Sequence, residues 1–151
     1  MYKHILIATD GSELAGKAVE AGLALGKRLG TKVTAITAIE PWLSIASSDT
    51  AAAFIEYQKA AEHDAARILD QVSTAAHEHG VQCETVAVTD AAAEAIIKTA
   101  DSKQCDLIVM SSHGRRGLAR MLLGSQAMRV LTLSSVPVLI CRQRSAVPGA
   151  D

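Results

Sequence analysis

Asp106-Leu107-Ile108-Val109-Met110, followed at once by Ser111-Ser112-His113-Gly114, is the stretch that decides the fold. Four residues that run apolar after one aspartate, with no polar alternation, suit a strand buried on both faces, and such strands belong to parallel sheets covered by helices. The small residues that follow mark a sharp exit into a loop. A second glycine-serine pair, Gly124-Ser125, then opens a helix predicted over about 125–133.

The same grammar repeats on either side. Ile5-Leu6-Ile7-Ala8 is a short apolar run that stops at Thr9-Asp10-Gly11-Ser12. Ser12 is a good N-cap, and Ala15, Ala18, Val19, Gly22, Leu23, Gly26 and Leu29 then recur at helical spacing up to a Gly30 stop. Residues 33–39 are rich in β-branched side chains and predict a second strand, ended by Pro41. Trp42 to Asp49 has no clear period; its Trp42, Leu43 and Ile45 either pack over the sheet or meet a partner. A long helix is predicted from about Thr50 to His79, with Ala61, Ala65, Ile68, Leu69, Val72 and Ala76 as its apolar stripe and Gly80 as its end. Residues 83–88 predict a third strand. Asp90 is the expected cap of a helix that turns Ala93, Ile96, Ile97 and Ala100 inward, and 137–141 predict a fifth strand. Strands alternating with helices imply one doubly wound α/β domain with helices on both faces of a parallel sheet. Residues 143–151 read as a flexible tail.

Bulk composition excludes several classes. The 151 residues carry a formal net charge of −1 and are 49% hydrophobic, with very few aromatics. A nucleic-acid partner would ordinarily need a basic face. No apolar run reaches the roughly 20 residues that span a bilayer, and no signal peptide is evident, so a cytoplasmic location is expected. Cys83, Cys105 and Cys141 are odd in number and form no CxxC, which predicts buried thiols rather than disulfides or a zinc site. His77 and His79 are two apart and do not share a helix face, so His63, His77 and His79 read as solvated. Asp49, Glu56, Asp64 and Asp70 read likewise as solvated helix charges.

In open parallel sheets ligands bind beyond the carboxyl ends of the strands. That directs attention to Thr9–Ser12 and to residues 111–125. In the second loop Ser111, Ser112, Gly114 and Gly117 allow close backbone approach, and the helix start at Gly124-Ser125 offers unpaired N–H donors to an anion. Arg115, Arg116 and Arg120 add local positive charge. On the residues alone, an ordinary loop before a serine-capped helix is an equal reading. Asp10, in turn, can simply hydrogen-bond its own turn.

The segment Met110-Ser111-Ser112-His113-Gly114, nine residues, then Gly124-Ser125 resembles the nucleotide loop of the universal stress protein family. The ATP-binding members of that family carry G-x-x-G, nine residues, then G followed by Ser or Thr. Here Gly114 matches the second glycine, Gly124-Ser125 the closing pair, and Ser111 replaces the first glycine. Asp10 and Pro137-Val138-Leu139-Ile140 match further landmarks, and the likeness covers about residues 3–142. It implies a Rossmann-like, five-stranded parallel sheet of order 3-2-1-4-5 and a bound ATP, with Mg²⁺ or Mn²⁺ near its phosphates.

Residue by residue, the resemblance implies that Ala8 and Thr9 floor the pocket and that Asp10 meets the sugar or helps place the cation. Ala38 would face the adenine edge, and Met110 and Ser111 would lie against base and ribose. Ser112, His113, Gly114 and Arg115 would wrap the phosphates, joined by Gly124, Ser125 and Gln126 from the helix start. It further implies a homodimer paired through the fifth-strand edge at Val138, Leu139 and Ile140, and a stress-response sensor or regulator with unidentified protein partners. No catalytic residue is expected, since no P-loop lysine motif is present; hydrolysis would be slow or absent. The alternative within the family is an interaction module that binds no nucleotide. A flavodoxin-like receiver or a nucleotidyl-transfer enzyme fits poorly. A receiver needs an acidic cluster after strand one and a lysine after the last strand, whereas Asp10 stands alone and the last strand ends in Cys141-Arg142.

Overall fold

A computed structural model describes residues 1–42, 51–115 and 123–143. The elements run β1 (His4–Ala8), α1 (Glu13–Leu29), β2 (Lys32–Ile39), α2 (Ala51–His79), β3 (Cys83–Thr89), α3 (Ala92–Ser102), β4 (Leu107–Ser111), α4 (Ser125–Leu133) and β5 (Val138–Cys141). Leu43, Ile45, Asp49, Thr50, Arg116, Gly117, Arg120 and the tail from residue 144 lie outside the described residues.

The five strands form one parallel sheet of order β3-β2-β1-β4-β5. Register puts Ile5 beside Val33 on one side and Leu107 on the other. Because side chains alternate across a strand, the apolar runs divide between two cores. Ile5, Ile7, Val33, Ala35, Leu107 and Val109 pack with Ala18, Val19 and Leu23 of α1 and Leu69, Val72 and Ala76 of α2. Leu6, Ala8, Ile36, Ile108 and Met110 pack on the opposite face with Ala93, Ile96 and Ala100 of α3 and Ala127 and Val130 of α4. Every residue of β1 and β4 is buried, which is why these two read as uninterrupted apolar runs. From β1 the chain winds one way to β2 and β3, then crosses back to β4 and β5. The switch falls between β1 and β4, where a crevice must open at their carboxyl ends.

Local signals explain the helix ends. Ser12 Oγ accepts the Ala15 N–H at 3.2 Å, and Gly30 closes α1 in the left-handed region at φ +62°. Asp90 does not cap α3. Ala91 occupies the cap position without a side-chain bond; the Asp90 carboxylate accepts the Ala91 N–H and pairs with Lys98. The cap comes instead from α4, where Gln126 Oε1 accepts the Ala93 N–H at 3.0 Å. Leu29, Ala61 and Ile97 are half-buried, while Ala95 and Thr99 join the buried face of α3. Trp42 lies edge-on to Tyr57 of α2 with ring centroids 4.9 Å apart. His79 pairs with Glu20 of α1 rather than standing in solvent.

All three cysteines are free, and burial pushes the Cys105 thiol up to about 11, as suits an inert core residue. At the edge, Val138 and Ile140 of β5 pack towards α3 and α4, and Leu139 is exposed. Among the described residues no helix is long and apolar enough to cross a membrane.

Candidate functional site

A cavity of about 560 Å³ opens at the carboxyl ends of β1, β2 and β4, within the usual range for small-molecule sites. Its floor begins where β1 ends. The Thr9 N–H donates to the Ile36 carbonyl at 3.0 Å, and Thr37 Oγ1 donates to the Thr9 carbonyl at 2.6 Å. These bonds extend the sheet one residue past β1 and hold Ala8, Thr9 and Ala38 as one surface.

Asp10 then turns the chain. Its Oδ1 accepts the Ser12 N–H at 2.9 Å, the local turn that the residue type favours. Its Oδ2 accepts the Arg115 N–H at 2.8 Å, from a loop 105 residues away. Asp10 therefore does more than shape its own turn: it latches the β4–α4 loop to the end of β1. The two are so close that a Cβ built on Gly114 would lie 2.6 Å from Asp10 Oδ2.

The β4–α4 loop is closed at its base. The Ser112 carbonyl accepts the Gly124 N–H at 2.8 Å, which joins the two ends of the segment. Ser111 belongs to β4 rather than to the loop; its backbone is extended, so the Cβ that glycine would lack is accommodated, and its Oγ donates to the His113 carbonyl at 2.8 Å. Ser112 Oγ and His113 Nδ1 lie 3.1 Å apart. Gly124 is the N-cap of α4 and supplies no side-chain bond. The first N–H groups of α4, from Ser125, Gln126 and Ala127, have no carbonyl a turn earlier in the helix. All three residues line the cavity, so the positive end of the helix faces its interior.

The fourth wall is α2. Tyr57, Ala60, Ala61, Asp64 and Ile68 line the cavity from this helix, and Tyr57 Oη donates to the Glu40 carbonyl at 2.8 Å. Asp64 is not a free solvated charge. Its Oδ1 accepts from Arg67 and its Oδ2 from Arg115 Nη2, at 2.7 and 2.9 Å. The Arg67 hydrogen bond, followed by that of Arg115, holds the Asp64 carboxyl below the usual carboxylate range. Among the described lining residues, three carboxylates, Asp10, Glu40 and Asp64, share the cavity with a single arginine, Arg115.

Ala8, Thr9, Asp10, Ala38, Met110, Ser111, Ser112, His113, Gly114, Arg115, Gly124, Ser125 and Gln126 all line this one cavity. The side chain of Gln126 is committed to α3; its backbone N–H is the group left for a ligand. Sequence reasoning missed the α2 wall. The signal was present in the spacing, because Tyr57, Ala61, Asp64 and Ile68 recur at intervals of four, three and four and so share one helix face. Among the described residues no group of three or more His, Cys, Asp or Glu side chains is placed to hold a metal ion.

Comparison with known proteins agrees with this architecture. The model of the universal stress protein family matches residues 1–142. The universal stress protein YxiE of Bacillus subtilis is 32% identical over 148 residues, covering 94% of this chain and all of that one. The universal stress protein MJ0531 of Methanocaldococcus jannaschii is 32% identical over 145 residues, covering 95% of this chain and 84% of its own. Among solved structures, the protein MJ0577 superposes with a TM-score of 0.83 at 26% identity, covering 97% of this chain and 99% of its own. A universal stress protein in complex with cAMP superposes with a TM-score of 0.73 at 27% identity, covering 95% and 99%.

Proposed function

The chain belongs to the universal stress protein family, and from that premise we propose that its cavity binds an adenine nucleotide, ATP in the first instance, as a stress-response sensor or regulator. The observation that carries this reading is the start of α4. A helix with a glycine N-cap and no side-chain cap presents its free N–H groups to a cavity of nucleotide size. The cAMP held by a neighbour of 27% identity supports the same ligand class.

In this reading the base lies over Ala8, Thr9 and Met110 and meets the backbone at Ala38, and the ribose lies near Asp10 and Ser111. The phosphates lie against Ser112, His113, Gly114, Arg115 and Gly124 and the N–H groups of Ser125 and Gln126, since the Gly124 N–H is held by the Ser112 carbonyl. A divalent cation beside Asp10 would draw its remaining ligands from the nucleotide phosphates and water, as Mg²⁺ commonly does. The two carboxylates that touch the described part of the β4–α4 loop, Asp10 and Asp64, are both taken up by hydrogen bonds. Neither is a spare general base, which supports binding and regulation with slow hydrolysis at most. The β5 edge, paired among the described residues with β4 alone and carrying the exposed Leu139, supports a homodimer through Val138, Leu139 and Ile140.

Ligand binding to the folded state raises stability by mass action. ATP with Mg²⁺ is therefore expected to raise the melting temperature, and native mass spectrometry is expected to show a dimer with retained nucleotide. Absence of any shift at millimolar ATP sinks the nucleotide reading and favours an interaction module without ligand.

A further inference from the structure

We infer that Asp64 is a specificity-determining residue of this cavity, one that withholds Arg115 from phosphate and so tunes the site between polyphosphate and less charged ligands. The inference rests on the nucleotide reading. Arg115 is held at both ends: its backbone N–H by Asp10, its guanidinium by Asp64 of α2. Between these anchors the guanidinium crosses the β1–α1 turn, where a Cβ built on Gly11 would lie 3.3 Å from Nη2. It is the one lysine or arginine among the described lining residues, and three carboxylates share the cavity with it.

A triphosphate entering this cavity meets two obstacles that a neutral nucleoside does not. Arg115, the one cation among the described lining residues, is already paired, and its partner is a negative charge in the same cavity. Arg67 makes the exchange easy to reverse, because Asp64 keeps a second guanidinium at 2.7 Å when it releases Arg115. The Arg115–Asp64 pair is about half exposed on the arginine side, so its own strength is that of a screened surface pair. Its effect on a multiply charged ligand is larger, since every phosphate charge feels the carboxylate.

Equilibrium binding of ATP, AMP and adenosine to the wild type, Asp64→Asn, Asp64→Ser, Arg115→Gln and the Asp64→Asn/Arg115→Gln double variant tests this. Removing the Asp64 charge is expected to tighten ATP by about three- to tenfold, AMP by less and adenosine not at all. The gain for ATP should shrink in the Arg115→Gln background. Unchanged or weaker ATP binding in both Asp64 variants, with adenosine bound as in the wild type, overturns the inference and leaves the nucleotide reading standing. Failure of the wild type and every variant to bind any of the three ligands overturns the nucleotide reading itself.

Discussion

Gly114→Ala should open the latch between the first and fourth strands. Ordinary van der Waals contact begins at about 3.4 Å, and the new methyl would stand 2.6 Å from Asp10 Oδ2. The Gly114 backbone is not in the left-handed region, so this contact is the whole of the problem. The carboxylate cannot simply turn away, because Oδ1 holds the Ser12 N–H and Oδ2 the Arg115 N–H. Relief requires Asp10 to release Arg115, a hydrogen bond to a charged acceptor worth about 1.5–3 kcal/mol. For a chain of 151 residues, each kcal/mol lowers the melting temperature by roughly 2–4 °C, so the variant should melt roughly 3–12 °C lower. The decisive assay is a double-mutant cycle in thermal or urea denaturation. In an Asp10→Ala background the clashing oxygen is gone, and Gly114→Ala should then cost only a few tenths of a kcal/mol or even stabilise by restricting the unfolded chain, by about 0.4–1 kcal/mol. Costs that add to within about 0.5 kcal/mol would refute the latch.

Three further substitutions, one of them read through a pH titration, follow from the structure. Gly11 (φ +78°) and Gly30 (φ +62°) both occupy the left-handed region, but a Cβ on Gly11 would also meet Ile68 at 2.7 Å, whereas Gly30 has open space. Each change to alanine should cost roughly 1–2 kcal/mol for the backbone, with Gly11→Ala worse by a further 1–3 kcal/mol or so for overpacking; equal losses in urea denaturation would count against the Gly11 contact. His4 is buried, with Nε2 on Thr34 Oγ1 at 2.8 Å and Nδ1 on the Lys103 carbonyl at 3.0 Å. Burial, followed by the nearby Lys32 charge, lowers its pKa below the ordinary 6.5. Between the folded value and 6.5 the unfolded chain binds the extra proton, so stability should fall as pH drops through that window. His4→Gln should remove that part of the acid slope, and parallel stability curves for the two proteins from pH 7 to 5 would contradict the assignment.

The sheet was readable because its central strands are covered on both sides. Ile5–Ala8 and Leu107–Met110 carry no alternation, and burial on both faces leaves none to carry. Ser12 and Gly30 were readable because a cap is a local device whose partners lie within one turn. What escaped the sequence depends on distant contacts. Asp90 looks like the cap of α3, but the donor that needs an acceptor is met by Gln126, 33 residues further along. Asp64 sits on the apolar stripe by spacing and off it by charge; only the arrival of Arg115 from another loop shows why a carboxylate belongs on that face. His4 gives no pattern at all, since its partners lie on β2 and after α3. Ser111 looks like a broken motif when counted as a loop residue. As the last residue of β4 it needs no left-handed backbone, and its hydroxyl braces the turn that follows.

The same distinction bears on what the cavity can do. A site that gripped phosphate with lysines would carry its specificity in side chains and tolerate a loose loop. This one has a single described arginine in the lining, and in the proposed reading it would rely on backbone N–H groups at the head of α4. Backbone donors bind an anion only where the chain approaches it closely and at a fixed angle, so the burden passes to whatever fixes the chain. Here that is Asp10 on the Arg115 N–H, the Ser112 carbonyl on the Gly124 N–H and Ser111 Oγ on the His113 carbonyl. The small residues at 112, 114 and 124 are then required by closure as much as by any ligand, and a Cβ on Gly124 would already stand 3.0 Å from the Ser112 carbonyl oxygen. In the proposed reading, loss of closure and loss of nucleotide affinity should therefore travel together. A Gly114→Ala protein that melts lower yet binds ATP as tightly as the wild type would separate them, and would move the weight of binding from the loop to the floor of the cavity.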